Sequence, residues 1–321
     1  MSVYHKVLSF IARPHANSFE ALALEVFRHQ FEAVAAYRDH CIALGVRANE
    51  VASLDQIPPV STLAFKFARL TGDDDAAGAR TFLTSGTTIS GERGRHIVPR
   101  PEVYRASALA HFRRMVFPDA RAMRILALHP TAERMPDSSL AQMISWCIED
   151  FSDGWTCAAD RNGVDARAAV EFLGTAERDG APVCILGTTA SLGVLFTHLE
   201  GRAMRLELAP GSRVMDTGGA KGQVAPLDAA AVCARAEKLL GVAPAFVINE
   251  YGMTELCSQL YDATAFNSDD ASPPERRVKI APPWMGAAAV DPLTLAPMAA
   301  GEIGMLRFFD LANVGSVSAI L

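Results

Sequence analysis

The chain has 321 residues, half of them hydrophobic and 21% charged, with 30 Lys and Arg against 36 Asp and Glu for a net charge of −6. That length supports one large domain or two of ordinary size with a substantial core, and the acidic balance offers no basic face for nucleic acid. No uninterrupted apolar run approaches the roughly 18 residues that span a bilayer, so no membrane insertion is expected.

The six cysteines (Cys41, Cys147, Cys157, Cys184, Cys233, Cys257) are scattered, with no CxxC pair or metal-ligand spacing. That usage fits reduced thiols in a cytoplasmic protein better than a disulfide framework. The first residues lack the apolar core and cleavage site of a signal peptide.

Residues 17–44 read as one long amphipathic helix. Asn17 and Glu20 form a capping-box pattern, Leu24, Phe27, Phe31, Val34 and Cys41 lie on one stripe, and Gly45 supplies the stop. An extended connector, Ile57-Pro58-Pro59-Val60-Ser61-Thr62, leads to Phe65-Lys66-Phe67. Asp73-Asp74-Asp75 reads as a solvated acidic loop before it reads as a metal site.

Next, the β-prone Phe82-Leu83 delivers the chain into Thr84-Ser85-Gly86-Thr87-Thr88-Ile89-Ser90-Gly91. Glycines there allow backbone N–H groups to turn toward an anion, and hydroxyls add donors, so phosphate suits the loop. Gly86 and Gly91 imitate a Walker A spacing, but Glu92-Arg93 stands where Lys-Ser/Thr is required, which excludes an ordinary P-loop NTPase. On its own the stretch reads equally well as a solvated turn.

His96-Ile97-Val98 reads as a short strand, and from Pro101 strands and helices alternate. Helices are predicted at about 102–115, from Ser138 through Cys147, and at about 165–178, 191–200 and 228–240. Strands are predicted at 124–128, 183–186, 213–215 and 245–248. The last three end in Gly187-Thr188-Thr189, Asp216-Thr217-Gly218-Gly219 and Asn249-Glu250-Tyr251-Gly252. Alternation of this kind predicts an α/β fold with a mostly parallel sheet, whose ligands bind beyond the carboxyl ends of the strands.

After residue 262 the texture changes to short strands between Pro/Gly turns, at 278–280, 287–290, 304–309 and 317–321. The expected division is an α/β nucleotide- and acyl-binding core over 1–262 and a smaller β-rich subdomain over 263–321. The apolar strand at Val317-Ser318-Ala319-Ile320-Leu321 is expected to lead on into further sequence.

Three segments in order carry a resemblance: Thr84-Ser85-Gly86-Thr87-Thr88, Gly218-Gly219-Ala220 and Tyr251-Gly252-Met253-Thr254-Glu255. They resemble the phosphate loop, the adenine-side glycines and the Tyr-Gly-x-Thr-Glu motif of the adenylate-forming superfamily, and Gly301-Glu302 is similar to the Gly-Glu of its late β-subdomain. Within it the chain is most similar to the acyl-protein synthetases, the fatty acyl-protein ligases of bacterial bioluminescence. That narrower likeness rests on Pro58-Pro59…Phe65-Lys66, on Arg93, Arg95 and His96 after the loop, and on Asp310-Leu311-Ala312-Asn313.

The resemblance implies ATP and Mg²⁺ as cofactors and a carboxylic acid of the fatty class as substrate. It assigns Ser85, Gly86, Thr87 and Thr88, with Thr84, to the β/γ-phosphates. Gly218, Gly219 and Ala220 fall to the adenine edge, Tyr251 and Gly252 to the adenine face, Thr254 to the α-phosphate and Glu255 to the metal. Attack of a carboxylate on an α-phosphorus needs no protein nucleophile, so positioning and charge neutralisation are the required tools.

The superfamily's Gly-x-Pro-Lys continuation is absent after Thr88, and Arg93 is the candidate replacement for its lysine. Gly187, Thr188 and Met253 are the implied acyl-pocket residues. Cys257 reads as a small buried hydrophobe ahead of an acyl acceptor. The ribose-binding Asp and the small C-terminal lid domain are expected beyond residue 321. The implied activity is acyl-adenylate formation with transfer to a protein thiol. The alternatives are a coenzyme A or aryl-acid ligase of secondary metabolism and a non-catalytic nucleotide- or acyl-binding relative. An acyl-acceptor or acyl-donor protein is the implied partner; nothing in the sequence bears on oligomeric state.

Overall fold

A computed structural model describes residues 1–15, 18–72, 77–84, 93–218, 227–265 and 276–321. In chain order come the helices α1 (Val3–Ala12), α2 (Phe19–Ala33), α3 (Ala35–Ala43) and the short α4 (Ala64–Phe67), then the strands β1 (Arg80–Leu83) and β2 (Arg95–Val98), and α5 (Pro101–Val116). The middle of the chain supplies β3 (Met123–Ala127), α6 (Ser139–Phe151), β4 (Ser152–Cys157), β5 (Ala159–Asp160), β6 (Gly163–Val164), α7 (Ala166–Asp179) and β7 (Val183–Thr188). There follow α8 (Thr189–Gly201), β8 (Arg213–Thr217), α9 (Ala229–Leu240), β9 (Val247–Tyr251), β10 (Leu260–Asp262), β11 (Lys279–Ile280), β12 (Met285–Val290), β13 (Met305–Asp310) and β14 (Ala319–Ile320).

Contacts group the chain into two compact units. One comprises Met1–Ala110, Met253–Gln259 and Ala281–Leu321, and the other His111–Gly252 and Leu260–Ile280.

The second unit is built on a seven-stranded sheet of order β11-β10-β9-β8-β7-β3-β4. Strands β4, β3, β7, β8 and β9 run parallel, and β10 and β11 extend the sheet antiparallel. Val183, Cys184, Ile185 and Leu186 are wholly buried in succession, the pattern of a central parallel strand covered on both faces. On one face Leu173, Ala176, Leu192, Phe196, Leu199, Val232 and Leu239 from α7, α8 and α9 pack over Leu126, Ile185, Val214 and Val247. Elsewhere in this unit Phe112, Phe117 and Phe151 cluster with ring centroids 5.4 Å apart.

Local signals fix these helices. The Asp165 carboxylate accepts from Arg167 N and Ala168 N, the Asp228 carboxylate from Ala231 N, and Gly180 and Gly241 end α7 and α9 at φ 64° and 67°.

In the first unit β1 and β2 pair antiparallel, and β12, β13 and β14 form a three-stranded antiparallel sheet. The Pro-rich connector lies along β14: Val60 N donates to Ala319 O, Leu321 N to Val60 O and Thr62 N to Leu321 O. Its carbonyls are satisfied by side chains, Tyr37 Oη donating to Pro58 O and Arg307 to Ile57 O, both at 2.8 Å.

Several elements differ from the sequence expectation, and four of them show why. The helix expected over 17–44 is two helices, because Val34 turns extended (φ −101°, ψ 96°) and buries its β-branched side chain. Asn17 lies outside the described residues. Helix α1, which the sequence reading left out, exists because Val7, Phe10 and Ile11 form a buried stripe. Strand β4 was also missed, since it is an edge strand whose burial is only partial. Finally, β11 joins the edge of the large sheet instead of the late β-rich segment, with Lys279 Nζ donating to Asp262 Oδ1 at 2.6 Å.

Candidate active site

In the second unit the parallel strands deliver polar residues to their carboxyl ends in register. Gly187 pairs with Asp216 and Asp216 with Asn249; one step on, Thr188 pairs with Thr217 and Thr217 with Glu250. Gly218 and Tyr251 then leave neighbouring strands at the next position, so two of the residues expected around adenine are brought together. The space where a Cβ would stand on Gly218 is open, which fits a flat ligand at close approach.

A polar network stiffens this edge. Thr189 Oγ1 donates to Asp216 Oδ1 at 2.8 Å, Asn249 Nδ2 to Asp216 Oδ2 at 3.0 Å, and Lys279 Nζ to Asn249 Oδ1 at 2.6 Å. Burial raises the Asp216 carboxyl above its ordinary range and pushes Glu250 up to about 7, against the opposing hydrogen bond from Thr217 and the charge of Lys279.

Of the implied acyl-pocket residues, Gly187 and Thr188 also serve the β7–α8 junction. A Cβ on Gly187 would meet Ser191 Oγ at 2.7 Å and Leu128 Cβ at 3.1 Å. The small residue therefore lets α8 sit close on its strand. Thr188 caps α8, its hydroxyl accepting from Ser191 N at 3.1 Å. Met253 is half-buried.

In the first unit the hydroxyl–glycine loop is closed at its base. Thr84 N donates to Gly94 O at 2.9 Å, and Gly94 N returns a bond to Thr84 Oγ1 at 2.8 Å. Arg93 Nε donates to Thr84 O at 2.7 Å and one of its terminal nitrogens to Leu83 O at 3.0 Å. Arg93 thus grips the main chain at the loop base with two of its nitrogens. Ser85, Gly86, Thr87 and Thr88 lie outside the described residues, as do Gly219 and Ala220.

The Met253–Gln259 segment is held from two sides. His96 Nδ1 lies 2.7 Å from Thr254 O, and since a carbonyl only accepts, that nitrogen carries the proton. Burial lowers His96 to about 4, so the ring is neutral at ordinary pH. From the other side Asn313 Nδ2 donates to Glu255 O at 2.7 Å and Asn313 Oδ1 accepts from Cys257 N at 2.8 Å. Asp310 accepts from Cys257 N at 3.0 Å and from the Ser258 hydroxyl at 2.7 Å.

Asp310 is itself wholly buried and pushed up to about 6 by that burial, with its hydrogen bonds opposing. Asp310, Asn313 and His96 are positioning residues that the motif reading did not single out. The signal was present, since all three stood in segments that carried the family likeness.

The Glu255 carboxyl is buried, and burial raises it while the charge of Lys66 opposes. Among the described residues no group of three or more His, Cys, Asp or Glu is placed to hold a metal. A single shielded carboxylate fits a Mg²⁺ that arrives on a nucleotide and keeps phosphate and water ligands.

All six cysteines are free thiols. Burial raises Cys257 well above the ordinary thiol range, in keeping with a packed hydrophobe. Among the described residues no helix is long and apolar enough to cross a membrane.

Residues 8–320 match the family model described as acyl-protein synthetase, LuxE. The chain is 26% identical over 324 residues to a long-chain-fatty-acid–luciferin-component ligase of Aliivibrio fischeri, covering 95% of this chain and 80% of that protein. It is 22% identical over 285 residues to the Vibrio harveyi protein of the same name, covering 87% and 70%. Among solved structures it is similar to 2-hydroxyisobutyryl-CoA ligase in a postadenylation state, with TM-score 0.69 and 14% identity over 96% of this chain and 63% of that one. ATP-bound MatB from Rhodopseudomonas palustris gives TM-score 0.53 at 17% identity over 76% and 41%. At such identities the structural likeness bears on fold alone: an α/β fold with a mostly parallel sheet, shared with adenylate-forming enzymes.

Proposed function

The chain belongs to the LuxE acyl-protein synthetase family, an acid–thiol ligase family, and from that premise we propose that it activates a fatty acid with ATP. A carboxylate oxygen attacks the α-phosphorus, the bond to the β-phosphate bridging oxygen breaks, and acyl-adenylate and pyrophosphate form. A protein thiolate then takes the acyl group and AMP leaves. The names of the Aliivibrio and Vibrio relatives support a long-chain acid and a protein acceptor. The cytoplasm is the compartment that free thiols fit.

The observation that carries this reading is the placement of Thr254 and Glu255. Both are held through their main-chain carbonyls, by His96 and Asn313, so neither side chain is used in those two bonds. In this reading Thr254 bonds the α-phosphate and Glu255 ligates the Mg²⁺ that neutralises the phosphate chain. Gly218, Tyr251 and Gly252, with Gly219 and Ala220, form the adenine side, and Ser85 to Thr88 receive the β/γ-phosphates. Residues 1–262 remain the proposed nucleotide- and acyl-binding core, and 263–321 the segment leading on from it.

ATP–pyrophosphate exchange on the full-length protein over a panel of fatty and aryl acids tests the proposal. Exchange with long-chain acids, abolished in Glu255→Ala, is expected. Acid-dependent exchange that survives in Glu255→Ala would overturn the metal assignment, and activity requiring coenzyme A without a labelled protein thioester would favour a coenzyme A ligase.

A further inference from the structure

Lys66 is a described cation whose ammonium is buried and has no assigned task. Its residue sits on α4, and Phe65 beside it is buried with its ring edge-on to His96 at 5.4 Å. His96 in turn holds Thr254 O. The backbone of this turn is fixed by Thr62 N to Leu321 O, Ala64 N to Ser61 O, Lys66 N to Leu63 O and Ala68 N to Ala64 O. Lys66 is therefore carried on a braced element, tied through Phe65 and His96 to the segment that bears Glu255.

The side chain runs along the base of the hydroxyl–glycine loop. A Cβ built on Gly94 would stand 3.3 Å from Lys66 Cγ and 3.0 Å from Thr84 Cγ2. Gly94 therefore leaves room for the lysine stem and the Thr84 side chain beside it. The Nζ atom at its tip is shielded from solvent and has no hydrogen-bond partner among the described residues. A shielded ammonium without a partner is costly, and such groups occur in proteins paired with an anion or a ligand. Glu255 is near enough for its carboxyl to feel the charge, but no ion pair joins the two. Arg93, the candidate replacement for the superfamily's loop lysine, grips Leu83 O and Thr84 O instead.

We propose that Lys66 is the phosphate-binding cation of this site, reaching the pyrophosphate portion of ATP from α4 in place of the lysine that the loop lacks. The inference rests on the adenylation reading above. It assigns Arg93 to shaping the loop base and Lys66 to meeting the ligand's charge. A flexible ammonium serves that second role as a point charge, while a guanidinium fork suits two fixed carbonyls.

Direct binding of ATP, AMP and inorganic pyrophosphate to the full-length protein in EDTA separates the possibilities, because Glu255 then has no metal to hold. Lys66→Met is expected to weaken ATP and pyrophosphate roughly tenfold or more, the loss of one charge-assisted hydrogen bond, and to leave AMP within about twofold. Lys66→Arg is expected to restore part of the loss. Thermal unfolding of both variants checks that they are folded. Unchanged pyrophosphate binding in folded Lys66→Met would overturn the proposal and leave the lysine as a counter-charge to Glu255. Equal loss for AMP and ATP would overturn it in favour of an α-phosphate contact. Failure of the wild-type protein to bind ATP at all would instead remove the adenylation reading on which it rests.

Discussion

Asn313 holds Glu255 by its main chain: Asn313 Nδ2 donates to Glu255 O at 2.7 Å, and the same side chain donates to Val317 O at 3.0 Å and accepts from Cys257 N. One buried amide thus fixes the backbone on both sides of Leu256, while the Glu255 carboxyl takes a hydrogen bond from its own backbone N–H. Asn313→Ala would leave two carbonyls without this donor and Cys257 N with only Asp310. We expect a loss of roughly 2–4 kcal/mol in urea unfolding. In whatever fraction remains folded, the Mg²⁺ concentration needed for exchange should rise more than the KM for the acid. A stable Asn313→Ala protein with unaltered Mg²⁺ dependence would contradict the clamp.

Glu250 makes stability depend on pH. Its folded value, about 7, lies above the unfolded value of 4.5, so ionisation is disfavoured in the fold. The resulting cost is absent below about pH 4.5, grows through the interval, and is complete above about pH 7, reaching at most about 3 kcal/mol by linkage. Glu250→Gln should therefore match the wild-type protein near pH 5 and exceed it near pH 8. Chemical denaturation at the two pH values reads this directly; parallel curves for the two proteins would refute it.

Arg93 is predicted to act through the loop base. Arg93→Lys keeps the charge but cannot span Leu83 O and Thr84 O with the same planar fork. It should raise the KM for ATP nearly as much as Arg93→Ala does. Full rescue by lysine would instead mark Arg93 as the cation that meets phosphate.

Gly187 tests the packing reading of the β7–α8 junction. Gly187→Ala places a methyl 2.7 Å from Ser191 Oγ, so we expect about 1–3 kcal/mol of destabilisation from overpacking. The chain-length preference for the acid should stay unchanged. A shift toward shorter acids in a stably folded variant would place Gly187 in the acyl pocket as well.

The central strands of the parallel core were legible where an apolar run leads into a turn cluster and a capped helix, as at Val183 to Thr188 before α8. The antiparallel extension at β11 and the partly exposed β4 were not, since edge strands carry weaker patterns. The Tyr251–Glu255 motif was readable as a string. Asn313 and Asp310 stood in a segment that carried the likeness, but their part as supports was not readable, because they reach the motif across more than fifty residues through hydrogen bonds that no periodicity encodes. Lys66 stood in a segment that carried the likeness, but only the fold shows that its ammonium is shielded.

The most direct test of the central claim is to incubate the protein with ATP, Mg²⁺ and a long-chain fatty acid, without thiol acceptor, and identify the products by mass spectrometry. The account predicts acyl-adenylate and pyrophosphate in equal amounts, formed only when the acid is present and lost in Glu255→Ala. ADP and phosphate as products, or no acid-dependent consumption of ATP, would contradict it.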